Sequence, residues 1–140
     1  MLAATLAQFG PDNQSTQIAQ NELAKILQDG LHYAEAEDLF RAVLAKREAS
    51  LGIKHVRTCT SLNNLGLVLS LQKRPAEAEP LLRRALEAER AIVGESDMGV
   101  LILKRNLARV LGELGQFPEA IALHEDVQKR APGKPSARTS

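Results

Sequence analysis

The residues that most often catalyse reactions or bind metals are not spaced for either task in this sequence. His32, His55 and His124 lie far apart and lack the HExxH spacing that puts two histidines on one face of a helix. Cys59 is the only cysteine, so there is no cysteine pair for zinc, and no base stands beside it to activate the thiol. We therefore expect Cys59 to be a small packing residue rather than a nucleophile.

Two pairs of glutamates, Glu35 with Glu37 and Glu77 with Glu79, are also poorly placed for catalysis. Residues two positions apart diverge on a helix, so neither pair can act on one substrate as paired carboxylates. We expect these glutamates to interact favourably with the positive ends of helix dipoles instead. Without a catalytic or metal-binding constellation, the sequence predicts a protein that is not an enzyme and has no cofactor.

The composition narrows the classes of partner and compartment. The 140 residues are 44% hydrophobic, enough for one domain or a short repeat array with a buried core. The 18 basic and 17 acidic residues leave a net charge of +1, which gives no general attraction to nucleic acid or membrane. The apolar stretch at the start is short and lacks the basic region and cleavage site of a signal peptide. With a single cysteine and no apolar run of about 18 residues, we predict a cytoplasmic protein.

The elements that would position any functional residue follow a repeat. Small residues recur with a fixed period of 42 residues, the distance from Ala24 to Gly66. One series consists of Ala24, Gly66 and Ala108, and the other of Ala36, Ala78 and Ala120. A period of roughly 20–50 residues is the signature of a solenoid built from stacked units. A missing side chain lets two helix axes approach closely, so we expect Ala78 to be fully buried between the two helices of its repeat.

Apolar residues at helical spacing predict two antiparallel helices in each period, joined by a short turn. The expected helices run from a cap at Ser15 or Thr16 to Asp29, from Tyr33 to Leu51, from Val56 to Leu71, from Pro75 towards Gly94, from Met98 to Leu114, and from Pro118 to Arg130. Gly30, Gly52 and Gly115 are expected to end helices. The last helix is the most polar of its kind, because His124 and Gln128 stand where earlier repeats have Phe or Leu, which is typical of a solenoid end.

The two ends of the chain differ from the repeats. Met1–Phe9 matches the back half of the second helix of a repeat, so we predict a half helix that packs on the first full helix around Ile18 and Ile26. Because the sequence supplies no helix for its other side, we further predict a homodimer through this half helix. Ala131–Ser140 reads as a flexible basic tail, which gives a helical domain over residues 1–130 and a tail over residues 131–140.

The stretch that best shows the repeat (LNNLGLVLSLQKRPAEAEPLLRRALEAERAIVG) resembles the tetratricopeptide repeat, with Gly66 and Ala78 in the places of that motif's small residues. The phrases SLNNLG and AEAEPLLRRALEAE are similar to the long-helix version found in kinesin light chain. The sequence departs from the family in having mostly leucine in place of its aromatic residues, and His55 followed by valine rather than proline. The resemblance implies an all-α superhelical solenoid of antiparallel helix pairs, with about three 42-residue repeats preceded by a half helix.

The resemblance also implies where a partner would bind, because in this family the first helix of each pair lines a concave groove. The groove residues implied here are Asn21, Lys25, Gln28, Asn63, Asn64, Leu67, Ser70, Arg105, Asn106 and Arg109. Asparagine amides can bond an extended peptide backbone, and arginine or lysine can bind a carboxylate. We therefore expect a non-enzymatic module that binds a peptide segment of a protein partner, and an acidic segment in particular. In the alternative, these residues are ordinary helix surface, Asn64 and Asn106 bond between neighbouring repeats, and the module serves self-association or a scaffold within a larger protein.

Overall fold

The computed structural model describes residues 14–130, which fold into six α-helices in three antiparallel pairs. The helices are α1 (Gln14–Asp29), α2 (Tyr33–Leu51), α3 (Val56–Leu71), α4 (Pro75–Val93), α5 (Met98–Glu113) and α6 (Phe117–Arg130). This part of the chain has no β-strand, which confirms the predicted all-α solenoid. The predicted half helix over Met1–Phe9, with the homodimer built on it, and the predicted tail over Ala131–Ser140 lie outside the described residues.

The helix bounds follow local signals in the sequence. α2 and α3 have the predicted bounds, while α5 ends and α6 begins one residue earlier than predicted. Asp97 caps α5, because its carboxylate accepts a bond of 2.9 Å from the Gly99 N–H. α1 is already helical at Gln14, so Ser15 and Thr16 lie inside the helix and the prediction that one of them caps it is wrong.

Each pair turns through one residue in the left-handed conformation, and these residues are one period apart. They are Leu31, Lys73 and Gly115, with φ values of 68°, 64° and 81°. Glycine takes this conformation at no steric cost, whereas leucine and lysine take it at some cost. The first helix stops before Gly30, as predicted, but Leu31 rather than Gly30 is the left-handed residue. Packing of the pair therefore decides this turn more than residue type does.

The two helices of the second pair cross closely at Gly66. A methyl group on Gly66 would lie 2.9 Å from the Leu82 Cγ and 3.6 Å from the Ala78 carbonyl oxygen. Ala78 has no exposed surface, which confirms the prediction for this residue, and Ala24 and Ala36 in the first pair are equally buried. The recurring small residues thus set the distance between the two helices of these pairs.

Short side chains connect the first helices of successive pairs. The Asn106 Nδ2 donates to the Asn63 Oδ1 at 2.8 Å, and the Ser70 hydroxyl donates to the Glu113 Oε1 at 3.0 Å, in both cases between α3 and α5. A bond between two asparagine side chains spans little distance, so the backbones of α3 and α5 must lie near each other. The two helices indeed approach each other over a short stretch, while each packs mainly on second helices.

Longer side chains connect the second helices. Arg84 on α4 bonds to Glu48 on α2 at 2.8 Å, and Arg83 on α4 bonds to Glu119 on α6 at 2.7 Å. Because a pair of Arg and Glu spans more than a pair of Asn, these links allow a wider spacing between second helices than the Asn bond allows between α3 and α5. These side-chain lengths favour a stack that is concave on the side of α1, α3 and α5, as the family resemblance implies. We call the side of α1, α3 and α5 that faces this concavity the inner face.

Candidate functional site

The inner face is built from the three helices on which all ten predicted groove residues lie. Lys25, Arg105 and Arg109 are exposed, and Ser70 is buried. The other six are half-buried, namely Asn21, Gln28, Asn63, Asn64, Leu67 and Asn106. Apart from Ser70, each of these residues therefore keeps some surface that a partner could reach, and binding by them stays a prediction.

Three of the predicted groove residues bond within the protein. Asn63 and Asn106 bond each other between neighbouring repeats, as the alternative interpretation expected of Asn106. Ser70 is buried and donates its hydroxyl proton to Glu113. Ser70 can therefore reach a partner only if this bond breaks, and its present effect is to hold α3 against α5.

Three buried side-chain atoms on α1 and α3 have no hydrogen-bond partner within residues 14–130. They are the Asn21 Oδ1, the Gln28 Oε1 and the Asn64 Nδ2. Asn21 and Asn64 stand one period before Asn63 and Asn106, whose side chains do bond. Between α1 and α3, the two positions that correspond to the bonded Asn63 and Asn106 thus hold an unpaired acceptor on Asn21 and an unpaired donor on Asn64. An unpaired buried polar group costs about 1–3 kcal/mol, so a molecule that pairs with these atoms would be favoured.

The α5 part of the inner face carries unpaired positive charge. Arg105 and Arg109 lie one helical turn apart, and neither forms an ion pair with a residue that the structure describes. Lys104 on the same helix differs, because it is buried and bonded to Glu95 and Asp126. Burial alone would lower the pKa of Lys104, but these two bonds outweigh burial and raise it. The two arginines, unlike this lysine, are thus free to bind a carboxylate of a partner.

Glu37 has a structural role that the sequence analysis missed. It is buried and accepts bonds from Gln72 at 2.9 Å and Arg74 at 2.8 Å, both in the turn of the next pair, and from Arg41 at 2.8 Å. Burial would raise the pKa of this carboxyl group, but the three bonds outweigh burial, so its pKa lies below the ordinary value. Glu37 therefore holds one repeat to the next, and the prediction that it serves the helix dipole misses its main contacts.

Two further buried charges, Arg47 and Glu89, lie one period apart and were not predicted. Arg47 donates to the Ser61 hydroxyl at 2.9 Å and to the Arg57 carbonyl at 3.1 Å, which ties α2 to α3. Glu89 has no hydrogen bond or ion pair within residues 14–130, and its Oε2 lies directly against the backbone of Gly99. Burial raises the pKa of Glu89. The repeat period could have identified both residues, because each occupies the position at which the apolar stripe of its helix, α2 or α4, would continue.

The remaining reactive side chains do not form a site. Cys59 is fully buried, and burial followed by the charge of Glu89 raises the pKa of its thiol to about 11. The thiol is therefore protonated and unreactive at neutral pH, which agrees with the predicted packing role. The His55 Nδ1 accepts a bond of 3.1 Å from the Arg57 N–H and caps α3, while the other two histidines are exposed. Within residues 14–130, no cluster of possible metal ligands occurs.

Comparison with known families decides the identity of the repeat. The profile described as tetratricopeptide repeat matches residues 15–91 and again residues 58–132, which together include almost all of the six helices. The chain belongs to the tetratricopeptide repeat family. The matched residues contain the three helix pairs, the small residues at their crossings and the inner face, so the resemblance noted in the sequence is confirmed.

Solved structures with the same fold include a protein whose description refers to kinesin light chain. A protein from Podosopora anserina, described as a kinesin light chain with nearly identical TPR-like repeats, has a TM-score of 0.76 and 24% identity over 91% of this chain and 61% of that chain. A variant of that protein gives 0.78 and 23% over 91% and 60%. BtubC (BKLC) from P. vanneervenii gives 0.83 and 21% over 91% and 51%. This chain thus spans between about half and three fifths of the length of these proteins, and the likeness shows the fold.

Family membership supplies a general role rather than a specific one. Tetratricopeptide repeats mediate interactions between proteins, and repeats of this type are not typically enzymes. None of the curated proteins compared with the sequence matches it. Within residues 14–130, no helix combines the length and the apolar character that crossing a membrane requires.

Proposed function

We propose that the protein binds an extended peptide segment of a protein partner along its inner face, without catalysing a reaction. The observation that carries this proposal is the pair of exposed arginines on α5, Arg105 and Arg109, which form no ion pair within residues 14–130. The amide side chains of Asn21, Gln28 and Asn64 on α1 and α3 add bonding capacity that the described residues leave unused. Each residue of an extended peptide offers one N–H donor and one C=O acceptor. Amide side chains that present both acceptors and a donor are suited to pair with such a backbone whatever its sequence.

The charge on α5 supports a preference for an acidic segment. Arg105 and Arg109 can bind a side-chain carboxylate or a terminal carboxylate, and Lys25 on α1 adds a third positive charge to the inner face. Leu67 on α3 lies half-buried between these two regions and offers contact to an apolar side chain of the peptide. In this arrangement α1 and α3 bind the peptide backbone, and α5 selects for negative charge.

Fluorescence anisotropy with labelled peptides tests the charge preference. The probes are three extended peptides of equal length: one rich in Asp with a free carboxylate, one neutral and amidated, and one rich in Lys. We expect the acidic peptide to bind most tightly. The double substitution Arg105→Glu with Arg109→Glu should weaken its binding by at least tenfold at low salt, and less at high salt, because salt screens exposed charges.

A matched control separates local recognition from net charge. The double substitution Lys54→Glu with Lys129→Glu changes the net charge by the same amount on exposed residues away from the inner face, and it should leave binding of the acidic peptide nearly unchanged. The double substitution Asn21→Ala with Asn64→Ala should weaken all three peptides alike. Equal affinity of the arginine variant and the parent at every salt concentration would refute recognition by α5.

A structural role in assembly is the second candidate function, and the exposed apolar residues Phe117 and Ile121 on α6 favour it. Either role belongs, in our proposal, to a reducing compartment such as the cytoplasm. The single cysteine, Cys59, is fully buried with a raised pKa, so it is suited to packing rather than to disulfide formation.

A further inference from the structure

The last helix carries an exposed apolar face on the side that joins repeats elsewhere in the chain. Phe117 is 59% exposed and Ile121 is 56% exposed, and they lie one turn apart on α6. Ile121 stands two periods after Glu37, whose carboxylate on α2 bonds to Gln72 and Arg74 of the following pair. α6 therefore presents Ile121 at the position where α2 contacts the next repeat, with Phe117 one turn before it.

The first helix has an apolar stripe that later repeats keep covered. Ala19, Leu23 and Ile26 lie on one side of α1 at helical spacing. Ile26 is 66% exposed, whereas Val68 and Val110, one and two periods later, are 0% and 1% exposed. Ala19 and Leu23 are half-buried, and their counterparts in both later repeats are buried. Those counterparts are Ser61, Leu65, Leu103 and Leu107.

The preceding pair of helices is what covers this stripe in the later repeats. Val110 lies on α5, in the last pair that the structure describes, so no later described pair covers it, and it is still buried. Ile26 has its own partner helix and a following pair, and it is still exposed. Among the described residues, Val68 and Val110 differ from Ile26 in having a preceding pair, which packs through α2 on α3 and through α4 on α5.

We propose that these two faces bind each other between copies of the chain, so that α6 of one copy packs on α1 of the next. The contact continues the series in which α2 packs on α3 and α4 packs on α5. It joins two different surfaces, so it does not close on itself and it produces rows of copies. A pairing of two N-terminal ends would instead be symmetric and would stop at a dimer.

Charge complementarity at the inner edge of this contact supports the same register. Asn63 and Asn106 bond across the junction between α3 and α5. Arg105 stands one period after Asn63, and Glu22 stands two periods before Asn106, so the junction between copies pairs Arg105 with Glu22 of the next copy. Both residues are exposed, and neither forms an ion pair within residues 14–130. At the junction between copies, opposite charges thus take the place of the hydrogen bond between the side chains of Asn63 and Asn106.

Polar and like-charged side chains on α6 oppose the contact and set its strength. His124 and Gln128 are exposed at positions where α2 and α4 have buried Phe or Leu, so the contact would bring polar side chains against α1. Arg83 on α4 bonds to Glu119 on α6, which lies 36 residues later. In a continued stack, the residue at the same separation from Glu125 is Glu35 of the next copy. Both glutamates are exposed, where water and salt weaken their repulsion. We therefore expect weak association, with dissociation constants of roughly tens to hundreds of micromolar.

Sedimentation of the full chain tests the proposal at roughly ten to several hundred micromolar. The average mass of the parent should rise steadily with concentration and pass twice the 15.2 kDa of one chain. Ile26→Asp should block one face, and the double substitution Phe117→Asp with Ile121→Asp should block the other, so each variant alone should keep the mass of one chain. An equimolar mixture of the two variants should form a one-to-one complex and nothing larger, because each retains one intact face.

The control variant is Ile92→Asp, which puts the same charge on a 44% exposed isoleucine of α4 outside both faces. It should associate like the parent. Circular dichroism of each variant should match the parent, because all the changed residues are exposed, and Ile26→Ser can replace a variant that loses helix.

Three results would overturn the proposal. The first is a parent that keeps the mass of one chain at every concentration, which would mean that residues outside the described range or another protein cover the stripe. The second is a parent that stops at a dimer, and the third is a mixture of variants that does not associate. Peptide binding is measured separately, with labelled peptides at protein concentrations below those of association, so these results leave the role of the inner face untouched.

Discussion

Replacing Gly66 with alanine should destabilise the protein, although the same change usually stabilises a helix. Gly66 lies inside α3, where glycine is about 1 kcal/mol less favourable than alanine. The new methyl group, however, would lie 2.9 Å from the Leu82 Cγ and 3.0 Å from its Cδ2. Because Leu82 is fully buried, its side chain cannot move out into solvent. The steric cost and the helical gain therefore act in opposite directions, and their sizes decide the outcome.

The contact distances indicate that the steric cost is larger. Ordinary contacts between carbon atoms are about 3.5–4.0 Å long, so the new methyl group would be roughly 0.6–1.1 Å too close to Leu82. Overpacking of this kind costs about 1–3 kcal/mol. After the helical gain is subtracted, the free energy of unfolding should fall by up to about 2 kcal/mol. For a chain of this length, 2 kcal/mol lowers the melting temperature by roughly 5–10 °C.

Gly112 provides a matched control, because it lies in another first helix and its surroundings are open. A methyl group on Gly112 would meet nothing within 4 Å. Gly112→Ala therefore has the helical gain without the steric cost, and it should raise the free energy of unfolding by about 0.5–1 kcal/mol. The same chemical change should thus have opposite signs at two positions of one protein.

Thermal unfolding followed by calorimetry or circular dichroism at low protein concentration measures both variants directly. We expect a lower melting temperature for Gly66→Ala and a higher one for Gly112→Ala, each relative to the parent. If both variants melted at the same higher temperature, α3 and α4 would not cross closely at Gly66. The argument that small residues set the spacing within a pair would then fail.

Two further predictions concern buried positions. Ala78→Leu adds three carbons beside Gly66 at a residue with no exposed surface, so it should lower the free energy of unfolding in urea by about 1–3 kcal/mol, and an unchanged midpoint would contradict this. Glu89→Gln should stabilise the protein at neutral pH, because burial, and then the charge of Asp97, raises the folded-state pKa of Glu89 above its unfolded value. The favourable contribution of Glu89 is then present below the unfolded pKa and is lost as pH rises through the folded pKa. Urea midpoints at several pH values should show the variant gaining on the parent as pH rises, and a constant difference would refute the role of Glu89.

The repeat period made most of the fold predictable from the sequence. Residues that recur every 42 positions, such as Ala36 and Ala78, mark the points where helices cross, because a larger side chain could not fit there. Local signals then place the helix bounds: Gly52 ends α2 with a φ of 82°, and Pro75 opens α4 where no N–H is needed. Both kinds of signal depend on residue type alone, so a single sequence is enough to read them.

Contacts between repeats could not be predicted in the same way, because they depend on small differences in distance. Asn63 and Asn106 bond to each other, whereas Asn21 and Asn64, the same residue types one period earlier, leave one acceptor and one donor unpaired. Residue type cannot distinguish these two cases. Glu37 likewise lies near the start of its helix, where glutamate is common. Only the position of the turn in the next pair shows that it bonds to Gln72 and Arg74.

The stack is stiffer on its inner side than on its outer side, because short side-chain bonds join α3 to α5, whereas long ionic links join the second helices. Bending that changes the spacing of the outer layer only stretches or turns flexible pairs such as Arg84 with Glu48. Bending that changes the spacing of the inner layer breaks the bond between Asn63 and Asn106 outright. The soft motion is therefore a rotation about the inner helices, in which the outer layer fans open and closes. A peptide lying across α3 and α5 would meet a surface of nearly constant spacing while the second helices move.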